Sequence, residues 1–573
     1  MSIAITRRLA PLFFLLFAGA SSFGATFTVT NGGDNGPGSL RQAIIDANAT
    51  ADRDQIVLAT DVVLTTPPPA FSAPVDVTGA RTGTTSRYRI DGPTLNPAFA
   101  RLTFEYSASG STVRSVHFGP NGYAIYSLAP FFTVTDVVAE LSVVEVIGEN
   151  TVIGGPAAAD ANTLHRLNIG GNGSRVLGST IGSLYLYAAH DAEIGTATTG
   201  NTIGQLVIDS SYLVVVRNNR IETVNAFSID AVPGFRTFPT IIDNVITTTF
   251  GSPAVSLTDL QDGAIIRNNV IRGQRGVAIA SSIGVDVTGN SIVATDGSPA
   301  IDLSGVGAND PPPDADGGPN GGQNFPQLAS ASLGSGVLTV DGTLASAPLT
   351  PYQIELFSSD AGKRDVRTLL DSFTVTTDGT GHATFTRTIT SSLPLPGESI
   401  TATATNRSTV ATPGNFPNST SSVSLPVPVT GPGVLGFDNG AQAADEGAGN
   451  ATIIVQRTGG TDGVVTVNYS TTNGTATAPG DFTQTSGTLT FGAGVTTQTI
   501  VVPLTNDDAA EGDETFTVTL TNPTGGATIG QPTTFITITD TDAAVDAAPV
   551  PTASTWALIA MALGLASIAL FRS

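Results

Sequence analysis

The chain contains no cysteine, which excludes disulfide frameworks and thiolate metal sites. Charge is scarce as well. Only 12% of the 573 residues are charged, and 24 basic residues face 47 acidic ones, for a net charge of −23. Phosphate recognition needs clustered Lys and Arg, so nucleic acid is not among the expected partners. An acidic surface instead suits solubility, divalent cations or basic partners. Aromatic residues make up 6% of the chain, and no aromatic platform stands out along it. What abounds is Gly, Thr, Val, Ala and Asn, a mixture that favours strands and turns over helices. The length suits roughly two to four domains of about 150 residues.

Two apolar runs stand at the termini. Arg7 and Arg8 precede an apolar stretch from Leu9 to Ala18 and then small residues. This is the layout of a secretory signal peptide over 1–25, with cleavage after Ala20 or Ala25. The run is short for an uncleaved anchor. At the other end, residues 544–573 form an Ala/Pro linker and an uncharged stretch from Ala557 to Phe571, followed by Arg572. Counted from Val550, it reaches membrane-spanning length, with Trp556 at an interface and Arg572 on the cytoplasmic side. The tail Val550-Pro551-Thr552-Ala553, with Ser554 and Trp556, resembles bacterial sorting tails of the IPTL-CTERM type. The resemblance implies a Gram-negative envelope protein anchored at the membrane and read by a sorting enzyme.

Residues 26–60 open with an alternating strand and continue into GPGSLRQAIIDANA. Leu40, Ala43, Ile44 and Ala47 fall on one helical face, and Ser39 is placed to cap it. A lone amphipathic helix at the head of a strand-rich chain is expected to cover the open end of a sheet stack. The segment Gly38-Ser39-Leu40-Arg41-Gln42-Ala43 resembles the N-terminal signature of secreted β-helix proteins.

Residues 61–328 read as a right-handed parallel β-helix. The units VVVRNNRI, PTIIDNVI, AIIRNNVI and VDVTGNSI place Asn219, Asn244, Asn269 and Asn290 in equivalent positions, 25, 25 and 21 residues apart. Such a period, with β-branched runs and Asn or Gly corners, fits solenoid coils. Leu is too sparse at fixed positions for a leucine-rich repeat. The Asn residues are expected at left-handed corners, their amides pairing in an internal ladder rather than in a binding site. Roughly nine coils would extend about 43 Å. An exit loop follows, in which Asp314, Asp316 and Asn320 partly echo an oxygen-ligand calcium loop. Residue 325 is Phe where that loop carries its bidentate Glu. Residues 329–427 alternate in short runs and fit a small antiparallel β-sandwich acting as a spacer.

Residues 432–543 form a second antiparallel β-sandwich candidate, and its acids lie outside the strands. Glu446 precedes the first strand, Asp481 sits in a loop, and Asp507, Asp508, Glu511 and Glu514 lie in NDDAAEGDETF. Asp540 and Asp542 end the last strand. Alternate loops of a sandwich gather at one end, which would bring these acids together. Converging carboxylates repel unless a cation or protons intervene. An all-oxygen donor set without His or Cys suits Ca²⁺ better than Mg²⁺; a solvated acidic loop is the plainer alternative.

The domain resembles the Calx-β family. The match runs through Asp445-Glu446-Gly447, Tyr469, Asn473-Gly474-Thr475-Ala476, Gly480-Asp481-Phe482, Asn506-Asp507-Asp508, Glu511-Gly512-Asp513-Glu514 and Asp540-Thr541-Asp542. It implies a calcium-binding sandwich whose ligands are Glu446, Asp481, Asp507, Asp508, Glu511, Glu514, Asp540 and Asp542. Phe482 stands where Tyr is more usual, at a core position.

The expected whole is a mainly β, secreted, membrane-anchored surface protein. Its role is structural or adhesive, with calcium in the membrane-proximal module and a surface glycan or protein as the ligand of the solenoid. The rival is a polysaccharide lyase or glycoside hydrolase, since β-helices also host these. Such enzymes need paired carboxylates on adjacent coils, or a basic residue beside acidic ligands. Asp209, Asp243, Asp259 and Asp286 are scattered. Arg217 and Arg267 share a repeat position but have Ile242 between them, and His165 and His190 have no visible partner. No enzymatic activity is therefore expected.

Overall fold

In the computed structural model the described residues are 24–540 and 542, apart from 80–86, 93–100, 121, 228–237, 250, 305–308, 312–317, 335, 395–396, 410–415 and 508. The targeting segment and the apolar tail lie outside them. Among the described residues, none forms a helix long and apolar enough to cross a membrane. The protein is, among the described residues, mainly β with a single α-helix, and it divides into two compact units.

The larger unit is built on parallel rungs. One sheet contains twelve strands, running from Thr26–Val29 through Asp54–Leu58 to Ala264–Arg267 and Val285–Thr288, and a second sheet of sixteen completes the coils. Neighbouring rungs pair in parallel throughout. The first two strands of the twelve precede residue 61, so there are more rungs than the Asn repeat alone suggests. The α-helix Leu40–Ala47 buries Leu40, Ala43, Ile44 and Ala47, and Ser39 Oγ accepts from the Gln42 amide at 3.3 Å. Inside the coils Phe71 stacks on Phe104 at 4.5 Å, and Phe104 meets Phe132 at 4.7 Å.

The Asn ladder runs through the buried corners. The side-chain amide of each Asn donates to the next Oδ1: Asn201 to Asn219 at 2.9 Å, Asn219 to Asn244 at 3.1 Å, Asn244 to Asn269 at 3.1 Å and Asn269 to Asn290 at 3.0 Å. The backbone amides of Asn201, Asn219, Asn244 and Asn269 donate to the same oxygens. One detail differs from expectation. The left-handed residue is the one before the ladder Asn: Asn218 at φ 56°, Asp243 at 57°, Asn268 at 58° and Gly289 at 66°. The turn is made one position early, so the ladder Asn points inward to satisfy carbonyls that the corner would orphan.

The segment expected as a spacer instead closes the solenoid. Pro351–Ser359 pairs antiparallel with Thr368–Thr376 and Ser399–Asn406. This sheet abuts the last rungs. Val366 forms an antiparallel bridge with Ile292, Thr420 donates to the Val285 carbonyl at 3.0 Å, and Phe357, Val366 and Val423 join the solenoid core. Open strand edges invite pairing with other chains, and here they are covered. Asn320, read as a candidate ion ligand, is buried. Its Oδ1 accepts from Val285, and its amide donates to the Val285 and Thr420 carbonyls, so the side chain is committed to the backbone. Asp314 and Asp316 lie outside the described residues.

A charged cluster sits at this joint. Asp286 receives Arg267 at 2.9 Å and Arg407 at 2.8 Å. Beside it the buried Glu355 accepts from the Gly289 amide at 3.2 Å. Burial, and secondarily Asp286, push the Glu355 carboxyl up to about 7 against the pull of Gly289 and the two arginines.

The smaller unit contains a sandwich. Val434–Phe437, Asn450–Thr458, Thr497–Pro503 and Thr528–Gln531 form one sheet. Ala441–Asp445, Thr533–Thr539, Glu514–Thr521, Val465–Asn473 and Ser486–Phe491 form the other. Between them Phe482 stacks on Phe516 at 4.3 Å. Arg457 is almost fully buried, donating to the carbonyls of Pro432, Asp462, Gly463 and Gly492.

Replacing Asn244 by Ala removes the acceptor of two Asn219 donors and takes a side-chain donor from the carbonyls of Val216 and Ile242, the latter keeping only the longer bond from the Asn218 amide at 3.3 Å. We expect a loss of about 2–4 kcal/mol in denaturant unfolding of the larger unit. Asn218→Gly, which suits φ 56°, should cost under about 1 kcal/mol. Glu355 supplies a second prediction. An acid whose folded pKa is raised holds its proton longer in the folded state, so stability is full below the unfolded value and falls as pH rises to the folded one. Between about pH 4.5 and 7 the larger unit should lose on the order of 3 kcal/mol, and Glu355→Gln should flatten that slope. An unchanged pH profile in the variant would count against the buried-carboxyl account.

Candidate metal centre

Each acid is placed by a local device. Asp445 accepts from the Gly447 amide at 2.8 Å and caps the short turn Glu446–Ala448, which ends on Gly449 at φ 71°. That turn tucks Glu446 to 9% exposure at the mouth of the sandwich, where its Oε1 accepts from the Asp507 amide at 3.1 Å. Asp481 accepts from the Thr477 amide at 2.6 Å. Asp540 ends its strand and receives three amides: Glu511 at 2.8 Å, Gly512 at 2.7 Å and Asp542 at 2.8 Å. These bonds fold the acidic loop back over the strand end. Gly512 supplies the φ of 81° that the fold-back requires.

The result is two carboxylate triads. Glu446, Asp540 and Asp542 can each offer an oxygen within 4.8 Å of the others, and so can Asp481, Glu511 and Glu514. A single cleft lined by Glu446, Asp481, Glu511, Glu514 and Asp540, with Thr505, joins them. Six of the eight residues singled out from the sequence therefore converge. Asp507 belongs to neither triad, although its charge acts on Glu511: its carboxylate accepts from the Ala509 amide at 2.8 Å and closes its own turn. Asp508 lies outside the described residues. Thr505 was not foreseen, and its one signal was adjacency to Asn506-Asp507.

The electrostatics match a cluster lacking positive charge. Asp507, then limited burial, then Asp481, Glu446 and Asp540 hold the Glu511 carboxyl above its ordinary range. Burial and a hydrogen bond shared with Asp481 do the same to Glu514. Asp540 is lowered, because backbone amides stabilise its charge. The donor set is all oxygen, with neither His nor Cys among the triads. That chemistry fits a hard cation such as Ca²⁺.

Fold and site thus define a β-solenoid protein carrying an acid-mouthed β-sandwich module. The module itself has a family: residues 430–542 match the Calx-beta domain. Over 96 residues the chain is 34% identical to the sodium/calcium exchanger Calx of Drosophila melanogaster, covering 17% of this chain and 10% of that protein. Over 213 residues it is 31% identical to the adhesion G-protein coupled receptor V1 of Danio rerio, covering 33% and 3%. The chain thus spans a tenth or less of these relatives. Among solved structures, the apo-form Calx CBD1 domain is 33% identical and covers 19% of this chain and 96% of that one, with a TM-score of 0.18.

Two tailspike structures cover far more of the chain. Full-length tailspike protein 2 of an Escherichia coli O157:H7 bacteriophage covers 84% of this chain and 71% of that one at 9% identity and TM-score 0.23. Tailspike gp49 of Acinetobacter baumannii bacteriophage Fri1, a capsular polysaccharide depolymerase, covers 70% and 82% at 10% identity and TM-score 0.18. The expectation of no enzymatic activity does not stand against such neighbours, although likeness at this level names no reaction for this chain. Its physical basis was also weak. It rested on scatter along the sequence, and rungs bring distant residues side by side. His190, for one, accepts from the Tyr212 amide at 3.0 Å.

With chelator present, Glu511 and Glu514 cost stability once ionised, so the loop should tighten as pH falls from 7 towards about 4.5. Asp540 opposes this only below its ordinary value of 3.8, where its contribution begins to be lost. After correction for the intrinsic pH dependence of amide exchange, protection over 505–507 and 509–516 should therefore rise on mild acidification. Lower protection factors at pH 5 than at pH 7 would contradict the cluster electrostatics.

Proposed function

We propose that the protein is an extracytoplasmic, membrane-anchored bacterial surface protein of structural or adhesive role, with a solenoid that presents its faces to ligands and a sandwich stiffened by calcium. The observation that carries the calcium reading is the convergence of two carboxylate triads at one cleft in the segment that matches the Calx-beta domain. Glu446, Asp540 and Asp542 would hold one side and Asp481, Glu511 and Glu514 the other. Asp507 would act mainly by shaping its turn. The ion would supply charge neutralisation, drawing the loop 505–514 and the ends of three strands together. The terminal runs support export and anchoring: Arg7 and Arg8 before Leu9–Ala18, and Ala557–Phe571 before Arg572.

Extracellular calcium modules bind with dissociation constants of roughly 10⁻⁴–10⁻³ M. At about 10 mM Ca²⁺ that corresponds to roughly 1.4–2.7 kcal/mol, or about 5–15 °C for a domain of this size. We expect a calcium-dependent rise of that order in the melting of the smaller unit, together with slower hydrogen exchange at 505–516. Asp481→Asn with Glu511→Gln should abolish both while raising stability in chelator, since like charges are removed. A melting temperature unmoved by millimolar Ca²⁺ would overturn the calcium reading. Periplasmic retention of a tail-deleted chain, with membrane fractionation of the full one, tests the anchoring.

A further inference from the structure

The register of the second sheet gathers residues that look unrelated in sequence. Tyr126 pairs with Glu145, Glu145 with Asn168, and Asn168 with Tyr185, one per rung. Successive rungs stand about 4.8 Å apart. These side chains alternate with the buried Ile125, Val144, Val146, Leu167, Leu184 and Leu186, so the column lies on the outer face. Tyr187 donates to Glu145 Oε1 at 3.0 Å across 42 residues of sequence. Its ring packs against Gly170, where a Cβ would stand 2.8 Å from Cε2. Arg166 donates to Asn168 Oδ1 at 2.9 Å and lies 4.2 Å from the ring centre of Tyr185. Burial, then Glu145, raise the phenols of Tyr187 and Tyr123, and Tyr126 adds to both, so these three tyrosines stand about one carboxylate, with Tyr185 further along the column beside Asn168.

The structural alternative is a surface ladder that only binds rungs together. Two features go beyond that role. The cluster joins half-buried aromatic rings to a carboxylate, an amide and a guanidinium, which supply apolar faces with both acceptors and donors. Stabilising rungs needs no such mixture, and the Asn ladder already does so inside. A ligand with apolar ring faces edged by hydroxyl groups matches this set. Charge narrows the class further: the chain carries −23 and the cluster centres on a carboxylate, so a polyanion would be repelled. We propose that the face formed by Tyr126, Glu145, Asn168, Tyr185 and Tyr187 binds a neutral oligosaccharide, with sugar rings against the tyrosines and hydroxyl groups donating to Glu145. This deepens the adhesive part of the function proposed above and is independent of the calcium part, which fails or stands by its own titration.

The test is affinity electrophoresis of the full chain through gels containing soluble neutral polysaccharides (galactomannan, dextran, laminarin and hydroxyethylcellulose), with polygalacturonate as the anionic comparison. We expect retardation by at least one neutral polymer and none by polygalacturonate. Glu145→Gln and Tyr126→Ala should each weaken retardation roughly tenfold, and Tyr126→Phe, which keeps the ring, should preserve it. Far-UV circular dichroism checks folding, and if Tyr126→Ala unfolds, Glu145→Gln decides. No retardation by any neutral polymer, retardation by polygalacturonate alone, or undiminished retardation of Glu145→Gln overturns the proposal.

Discussion

Parallel stacking of rungs is the constraint on which the larger unit depends. Each strand must satisfy its backbone groups on the strands before and after it, so every side chain stands one strand spacing from its counterparts. Corners cannot join this pairing, and their carbonyls and amides would be left unmatched inside the coil. The Asn ladder answers that need, each buried amide serving the corner of its own rung, a carbonyl of the rung before and the Asn of the next. The same spacing stacks Phe71, Phe104 and Phe132 within the coil and brings Tyr126, Glu145, Asn168 and Tyr185 into line outside it. Stacking also creates two open ends. The helix Leu40–Ala47 packs at the N-terminal one, and the sheet containing Pro351–Ser359 covers the other.

Much of this was legible in sequence wherever a short period or a local device carried the information. The amphipathic spacing of Leu40, Ala43, Ile44 and Ala47, with Ser39 before them, specified a capped helix. The recurring Asn specified the ladder, because a corner recurs once per coil and its amide has one outlet. The left-handed residue was misplaced by one position, since Asn218-Asn219 and Asn268-Asn269 offer two candidates and only geometry separates corner from ladder. The tyrosine column was illegible for a different reason. Its residues lie on rungs of unequal length, so no fixed interval connects them. The role of residues 351–427 was also hidden. Alternation along a strand tells that one face is buried but not against what.

The acid site was legible for yet another reason. Carboxylates are costly to crowd, so a chain poor in charge that places Asp507, Asp508, Glu511, Asp513 and Glu514 together already constrains what lies nearby. Sandwich topology then indicated which distant acids could join them, and Glu446, Asp481, Asp540 and Asp542 lie at the ends of elements that meet there. Roles within the group could not be separated beforehand. Asp507 turns its carboxylate to Ala509, while Asp540 organises the loop through three amides. Those assignments depend on backbone direction within a loop, which spacing alone does not encode.

The two charged clusters handle like charge in opposite ways, and the contrast bears on function. At the joint of the larger unit, Asp286 and Glu355 stand beside Arg267 and Arg407. The positive charge is built in, so that cluster is complete within the chain. At the mouth of the sandwich, the cleft formed by Glu446, Asp481, Glu511, Glu514 and Asp540 has no basic residue among its described lining. Its compensation must come from solvent, as protons or as a cation. Protons are the poorer answer near neutral pH, because they must be held against the bulk by carboxyls raised only through mutual repulsion. A divalent ion meets several carboxylates at once and replaces repulsion with shared coordination. A fixed cluster suits a permanent joint, whereas an open one makes the stiffness of the module depend on the ions around it.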